Sequence, residues 1–323
     1  MPETSQNQTS PPDNTIHARG LTRRFGNHIA VQGIELELRR GEVLGFLGPN
    51  GAGKTTTMQM LTGNLAPTSG SVLICGIDLL DRPVAAKGLV GYLPETPPLY
   101  RELTVNEYLE LAARLHRMPG SRIGAAVKRA KERCGLTENG KKLIGHLSKG
   151  YQQRVGIAQA IVHEPDVVIL DEPTVGLDPN QIRDIRRLIR ELGGEHSVVL
   201  STHILPEVEA VCDRVQILHH GRVVYNDGIN ALKAFHSGRT MVVGLRNPPP
   251  VNELTAIPGI TTAEALDQDQ FRVTFSADID PTPRLVETSV SRGWALYQLA
   301  PAQRTLEDVF VQLTQQEEAP RAA

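Results

Sequence analysis

Cysteine is scarce in this sequence, and no long apolar run interrupts it. The three cysteines, Cys75, Cys134 and Cys212, lie far apart and form no C-x-x-C pair. This spacing indicates neither a disulfide framework nor a zinc site, so we interpret the cysteines as small buried apolar residues. No stretch approaches the roughly 20 apolar residues of a transmembrane helix, and the N-terminus lacks a signal-peptide core. We therefore expect a cytoplasmic location.

A strong charge of either sign is also missing. The chain has 34 Lys and Arg against 36 Asp and Glu, a net charge of −2. This balance gives no general attraction to nucleic acid or acidic lipid, so we expect no nucleic-acid partner. With 323 residues, of which 40% are hydrophobic, the chain is long enough for two ordinary globular domains.

The most informative stretch joins an apolar strand to a glycine-rich loop. The apolar run at residues 43–47 predicts a buried strand. The following residues fit the pattern G-x-x-x-x-G-K-[ST]: Gly48, Pro49, Asn50, Gly51, Ala52, Gly53, Lys54 and Thr55. Such a loop turns backbone N–H groups onto a triphosphate at the N-terminus of a helix. Lys54 then supplies positive charge to the β- and γ-phosphates, and the Thr55 hydroxyl is a ligand for Mg²⁺.

Two further apolar strands are predicted to end in residues suited to nucleotide hydrolysis. Residues 167–170 are apolar and lead into Asp171 and Glu172. Asp171 is a candidate Mg²⁺ ligand, and Glu172 can orient or deprotonate the attacking water. Neighbouring strand residues point to opposite sides, so we expect different roles for the two carboxylates. His203 ends a third apolar strand and can hydrogen-bond a γ-phosphate.

Other candidate positions are less specific from the residues alone. Glu95 follows a short apolar strand, at the kind of strand end where α/β sheets contact ligands. Phe25 can stack on a nucleobase or close a strand as a core aromatic, and both interpretations stay open. Ser148 is a candidate N-cap, and its helix N-terminus with Gly150 is either an anion-binding end or only a well-capped helix.

In order and spacing, these segments resemble the ATP-binding cassette (ABC) ATPases. The resemblance covers roughly residues 15–235. It implies an α/β fold of the P-loop NTPase class, with a RecA-like core, an antiparallel β subdomain and a helical subdomain at about residues 96–163. It also implies ATP and Mg²⁺ as cofactors and a head-to-tail pair of subunits, in which each subunit completes the other's nucleotide site.

The resemblance implies a role for each matching residue. Phe25 matches the adenine-stacking aromatic, and Lys54, Thr55 and Thr56 match the phosphate and Mg²⁺ residues. Glu95 and Asp171 match further Mg²⁺ ligands, and Glu172 matches the catalytic base. Asp178 matches the inter-subunit loop, and His203 matches the switch histidine. Ser148, Lys149, Gly150 and Tyr151 match the signature motif that covers ATP from the second subunit.

The sequence departs from the usual family pattern at two places. Glu95 stands where Gln is usual, and Lys149 and Tyr151 replace residues of the usual Leu-Ser-Gly-Gly-Gln signature. Both variants resemble the ABC-2 type exporter ATPases, particularly the gliding-motility-like group. Export is therefore the expected direction of transport.

The ends of the chain lie outside this common core. Residues 240–316 alternate as β-α-β-β-α-β-α, which favours a small ferredoxin-like α+β domain that closes with a helix at residues 305–313. Residues 1–14 are polar and are predicted to form a disordered tail, and residues 317–323 a second tail.

We therefore expect an ATP-hydrolysing subunit that pairs with a second ATP-binding subunit, as a homodimer, and drives a separate polytopic membrane permease. It would lie peripherally on the inner face of the cytoplasmic membrane. The alternative is a soluble ABC ATPase that acts on ribosomes or nucleic acid, but no second cassette, coiled-coil insertion or basic extension is visible. A non-hydrolysing regulatory module would be expected to have degenerate motifs. The transported substrate stays open.

Overall fold

A computed structural model describes residues 14–236, 240–276 and 279–301. The chain divides into two compact units, Met1–Ile229 and Asn230–Ala323. The predicted N-terminal tail falls almost wholly outside the described residues, and the predicted helix at 305–313 and the tail at 317–323 fall entirely outside them.

The first unit contains two sheets and two groups of helices. Its strands are β1 (Asn14–Phe25), β2 (His28–Arg39), β3 (Val43–Leu47), β4 (Ser69–Ile74), β5 (Ile77–Asp78), β6 (Val90–Leu93), β7 (Val167–Asp171), β8 (Ser197–Thr202), β9 (Arg214–His219) and β10 (Arg222–Gly228). Its α-helices are α1 (Lys54–Leu61), α2 (Pro83–Lys87), α3 (Val105–Leu115), α4 (Gly120–Arg133), α5 (Lys149–Ile161), α6 (Pro179–Leu192) and α7 (Leu205–Val211), with short 3₁₀ turns at Thr137–Asn139 and Ile144–His146.

The central sheet positions the candidate site. Its six strands have the order β10-β9-β3-β8-β7-β6. Neighbouring strands from β9 to β6 run parallel, and β10 is antiparallel at the edge. Every residue of β3, β7 and β8 is buried, as expected for parallel strands that are covered on both faces. The carboxyl ends of β3, β6, β7 and β8 therefore meet at one edge.

An antiparallel sheet of order β2-β1-β4-β5 packs beside the central sheet. In the sequence Ile34-Glu35-Leu36-Glu37-Leu38, the apolar residues are buried and the glutamates are exposed. One hydrophobic core joins this sheet to α1 and the central sheet through residues such as Leu36, Met58 and Phe46. This core fixes the hairpin of β1 and β2 against the first helix.

Helices replace strands between β6 and β7. Helix α3 begins with a capping box, in which the Thr104 side chain accepts from the Glu107 N–H and the Glu107 side chain accepts from the Thr104 N–H. The buried Tyr108 donates its hydroxyl to the Pro98 carbonyl at 3.1 Å. This contact ties α3 to the segment that follows Glu95.

The second unit has its own sheet and core. Helix α8 (Ile229–His236) begins where the first unit ends, and β11 (Thr240–Leu245), α9 (Val251–Thr255), β12 (Ile260–Ala265), β13 (Gln270–Phe275), α10 (Thr282–Ser291) and β14 (Leu296–Pro301) follow. The sheet has the antiparallel order β12-β13-β11-β14 around Val243, Leu285 and Trp294. The ferredoxin-like interpretation of this segment stays a prediction. Within the described ranges of both units, no helix has the length and apolarity needed to cross a bilayer.

Candidate active site

The glycine-rich loop runs from the end of β3 to the start of α1. Gly53 adopts a φ of +103°, and a Cβ there would lie 2.5 Å from the Ala30 carbonyl oxygen. At Gly48 a Cβ would lie 2.5 Å from the Leu218 carbonyl oxygen. Only glycine fits these two close backbone approaches, which hold the loop against β2 and β9.

Lys54 begins α1 and turns back over the loop. Its ammonium group is buried and donates to the carbonyl oxygens of Gly48 at 2.8 Å and Pro49 at 3.2 Å. It also lies 3.2 Å from Glu172 Oε1. The loop lysine and the candidate base are therefore in direct contact.

Glu172 stands between a lysine and a histidine. Its Oε2 lies 2.9 Å from His203 Nδ1, while Oε1 faces Lys54. Glu172 is 5% exposed, and its N–H donates to the Ser201 carbonyl at 2.9 Å as the chain leaves β7. A buried carboxylate is tolerated when it is paired in this way. The chain of contacts Lys54–Glu172–His203 links residues that follow three strands, β3, β7 and β8.

Asp171 is fully buried, and neither of its carboxylate oxygens has a hydrogen-bond partner. Burial raises the pKa of Asp171; the nearby hydroxyls of Ser201 and Thr55 oppose this effect, although neither completes a hydrogen bond to the carboxylate. The negative charges of Glu172 and Glu95 raise this pKa further. Unpaired carboxylate oxygens beside a threonine hydroxyl are oxygen ligands of the kind that a hard divalent cation prefers.

These residues line a cleft of about 590 Å³ at the carboxyl edge of the sheet. Its lining comprises Phe25, His28, Ala30, Asn50, Gly51, Gly53, Lys54, Thr55, Thr56, Glu95, Glu172, Val175 and His203. Ala52 and Gly48 are buried within the loop, and Asp171 lies at the end of β7. The structure thus brings nearly all of the sequence-predicted nucleotide residues to one place.

Phe25 lies at the rim of this cleft. Its side chain is 47% exposed, so the core-aromatic interpretation is wrong. The Arg23 guanidinium lies 4.7 Å from the centroid of the ring. An exposed aromatic face at the edge of a polar cleft is available for stacking.

His28, Ala30 and Val175 also line the cleft, although they belong to none of the predicted site motifs. His28 pairs directly with Phe25 across the turn between β1 and β2. The two residues between them, Gly26 and Asn27, are a turn signal that could have located His28 beside Phe25. Ala30 and Val175 carry no motif.

The signature residues lie elsewhere in the chain. Ser148 occupies the N-cap position of α5, but its side chain makes no capping hydrogen bond, so the expected cap is positional only. Ser148, Lys149 and Tyr151 are exposed, and Gly150 is buried against Gln181. Lys149 lines a second cavity of about 450 Å³, which shares Glu95 and Val175 with the cleft.

Asp178 caps α6. Its Oδ1 accepts from the backbone N–H groups of Asn180 and Gln181, each at 3.0 Å. The residue is exposed, at the end of the loop that begins after Glu172. Its side chain thus has a local role in shaping this loop.

Comparison with known proteins identifies the family. A family model described as ABC transporter matches residues 31–175. The daunorubicin resistance ATP-binding protein DrrA3 of Streptomyces coeruleorubidus is 32% identical over 307 residues, which cover 94% of this chain and 96% of that protein. The chain belongs to the ABC transporter ATP-binding proteins.

Further comparisons agree with this family. The uncharacterized ABC transporter ATP-binding protein YxlF of Bacillus subtilis is 39% identical over 218 residues, 68% of this chain and 72% of that protein. The solved structure of cbiO1 from Clostridium perfringens, part of the ABC transporter complex cbiONQ, matches with a TM-score of 0.63 at 30% identity and covers 69% of this chain and 92% of that one.

Family membership confirms the predicted α/β P-loop class and the ATPase activity. The chain is the ATP-binding and ATP-hydrolysing subunit of an ABC transporter. The alternative of a soluble ABC ATPase acting on ribosomes or nucleic acid is not favoured.

Proposed function

We propose that the cleft binds ATP with Mg²⁺, that two copies of this chain close around two nucleotides, and that hydrolysis drives export through a separate polytopic membrane permease. One observation carries the proposal: a buried Asp171 carboxylate without a hydrogen-bond partner lies at the same sheet edge as the contacts Lys54–Glu172–His203. The Asp171 carboxylate is suited to binding a cation, and Glu172 between Lys54 and His203 is suited to activating water.

The glycine-rich loop and the rim residues bind the nucleotide. Backbone N–H groups of the glycine-rich loop and the N-terminus of α1 face the phosphates, and Phe25 stacks on the adenine. Thr55, Asp171 and Glu95 would hold the Mg²⁺ ion, which neutralises phosphate charge when bound. Thr56 adds a hydroxyl donor beside Thr55.

Glu172 acts as the base for the attacking water. Without nucleotide, its Oε1 is occupied by Lys54 at 3.2 Å and its Oε2 by His203 at 2.9 Å. Phosphates compete for the Lys54 ammonium, which frees Oε1 to accept a proton from water. His203, 40% exposed at its side chain, keeps the carboxylate oriented and reaches the γ-phosphate.

The signature residues act on the second subunit's nucleotide. Ser148, Lys149 and Tyr151 are exposed, and no signature residue lines the cleft of its own chain. The Ser148 hydroxyl makes no cap, so it is available as a phosphate donor. A head-to-tail homodimer brings it to the partner's cleft, with Asp178 in the loop between the two sites.

A relative that matches most of the chain supports export. The Nod factor export ATP-binding protein I of Burkholderia orbicola is 34% identical over 307 residues, which cover 94% of this chain and 97% of that protein. We infer a similar direction of transport here and a peripheral position on the inner face of the cytoplasmic membrane, where a permease would hold the subunit. The transported substrate is set by that permease.

The test is Glu172→Gln in the full chain, with the exposed Glu191→Gln as a matched control. ATPase activity should fall about 10²- to 10⁴-fold because the base is lost, while ATP binding persists. Size-exclusion chromatography with ATP should then show a stable dimer. Parent-like turnover in Glu172→Gln would overturn the assignment of the base.

A second experiment tests the permease. The tagged chain is extracted from its native membranes in mild detergent, and stoichiometric partners are identified. A polytopic membrane protein that raises ATPase activity supports the proposal. Recovery with ribosomes or nucleic acid instead would refute it and favour a soluble ABC ATPase.

A further inference from the structure

Glu207 is a buried carboxylate that the nucleotide site described above does not use. It lies on α7 and is 1% exposed. Its Oε1 accepts a hydrogen bond from the Thr174 hydroxyl, and its Oε2 accepts one from the Thr202 hydroxyl at 2.8 Å. Both oxygens of the carboxylate therefore have a threonine partner.

The two threonines belong to the segments that carry the catalytic pair. Thr174 follows Glu172 by two residues, at the start of the loop that leads to Asp178. Thr202 ends β8 and immediately precedes His203. Glu207 thus links the same two segments that are also joined by the 2.9 Å contact between Glu172 Oε2 and His203 Nδ1.

The Thr202 hydroxyl also fixes the turn that carries the histidine. It donates to Glu207 and accepts from the Ile204 N–H at 3.0 Å. Thr202 is fully buried, and Thr174 is 2% exposed. These hydrogen bonds are therefore shielded from water. Loss of one partner would leave a buried polar group unsatisfied.

Charge pairing alone does not account for this carboxylate. Among the described residues, the cation paired with it is the Arg186 guanidinium, whose Nη2 lies 3.9 Å from Glu207 Oε1. A buried carboxylate with neutral hydroxyl partners is a poor source of stability compared with an apolar residue of similar volume. The two hydrogen bonds to its oxygens instead fix the position of Thr174 relative to Thr202.

We infer that Glu207 is a positioning residue, which bridges Thr174 and Thr202 and thereby sets the geometry of the Glu172–His203 pair during ATP hydrolysis. The inference rests on the roles proposed above for Glu172 and His203. Glu207 does not line the cleft, so it acts through the Glu172–His203 pair. Its effect is on turnover rather than on nucleotide affinity.

The first test compares Glu207→Gln with Glu209→Gln, an exposed glutamate on the same helix. Glutamine keeps one acceptor oxygen and replaces the other with an NH₂ donor, so the two hydroxyls can no longer each donate to their own oxygen. We expect kcat to fall about 10- to 100-fold in Glu207→Gln, because small displacements of reacting groups cost this much. The KM for ATP should stay within about twofold of the parent, and Glu209→Gln should match the parent throughout.

Hydroxyl variants keep the test decisive if Glu207→Gln does not fold. Thr202→Val preserves the shape of the buried side chain but removes the donor, whereas Thr202→Ser keeps the donor. We expect Thr202→Val to lose turnover and Thr202→Ser to restore most of it. Equal kcat in the two variants would overturn the inference.

A double-mutant cycle separates positioning from stability. If Glu207 acts through His203, Glu207→Gln should lower kcat much less in a His203→Ala background than in the parent. Fully additive losses, or a kcat that follows only the melting temperature, would contradict the inference. An inactive parent chain would instead refute the proposed roles of Glu172 and His203, so the two failures are distinguishable.

Discussion

Replacing Asp171 by asparagine should make the nucleotide-free protein more stable and less active. The carboxylate is fully buried, its oxygens have no hydrogen-bond partner, and burial raises its pKa. In the absence of a cation, its negative charge opposes folding. Asparagine has nearly the same shape and no charge, and the unpartnered buried Ser201 hydroxyl lies nearby.

The magnitude follows from the cost of an unsatisfied buried group, about 1–3 kcal/mol and more for a charge. We therefore expect Asp171→Asn to raise the free energy of unfolding by about 1–3 kcal/mol. For a unit of this size that corresponds to a rise in Tm of about 2–12 °C. Because the folded pKa is raised, the penalty is full above that pKa and disappears below the unfolded pKa. The gain should accordingly shrink as the pH is lowered.

The assay is thermal unfolding with EDTA, with ATP and EDTA, and with ATP and Mg²⁺. The parent should gain stability from Mg²⁺ beyond that from ATP alone, whereas Asp171→Asn should lose most of this increment and on the order of 100-fold in ATPase activity. The exposed Asp81→Asn serves as the control and should leave all three values unchanged. A Tm equal to or below that of the parent in EDTA would refute the claim that the Asp171 charge is uncompensated.

Four further substitutions test the cleft, the glycine-rich loop and the start of α3. Phe25→Ala should weaken ATP binding by about 1–3 kcal/mol with little change in kcat, as measured with a fluorescent nucleotide, because a base loses its stacking surface. Gly51→Ala should cost about 1–2 kcal/mol of stability because Gly51 has a φ of +79°, which is strained for alanine. The added Cβ would meet no neighbouring atom there, so no further cost is expected. Gly53→Ala should cost more in the same denaturant titration, because its Cβ would also meet the Ala30 carbonyl oxygen at 2.5 Å. Thr104→Ala should lower stability by about 1 kcal/mol through the lost cap, without affecting the KM for ATP.

The positions of Lys54, Asp171, Glu172 and His203 could be predicted because short local patterns place them. Each follows a run of apolar residues long enough to be a buried strand, and the carboxyl ends of parallel strands meet at one edge. The pattern does not contain the contacts between them. That Lys54 and His203 share the Glu172 carboxylate depends on the strand order β3-β8-β7, which no local signal encodes.

Residues without a local motif were beyond prediction for the same reason. Glu207 lies in an ordinary amphipathic helix, and its hydroxyl partners lie 33 and 5 residues earlier in the chain. Ala30 reaches the cleft only because β2 packs against the glycine-rich loop. Ser148 shows the opposite case, since its position at the start of α5 was predictable whereas its lack of a capping hydrogen bond was not.

Two of the residues that depart from the usual family pattern, Glu95 and Lys149, lie in one cavity and carry opposite charges. Glu95 adds a negative charge that contributes to the raised pKa of Asp171, an effect that a neutral glutamine would not have. Lys149 supplies a positive charge in the same cavity, and its ammonium group lies against Gly176 in the loop after Glu172. Lys149 is exposed, so solvent screens its charge, and it is not among the groups that shift the pKa of Asp171. The negative charge of Glu95 therefore acts on Asp171 without compensation from Lys149, which lies instead against the loop after Glu172.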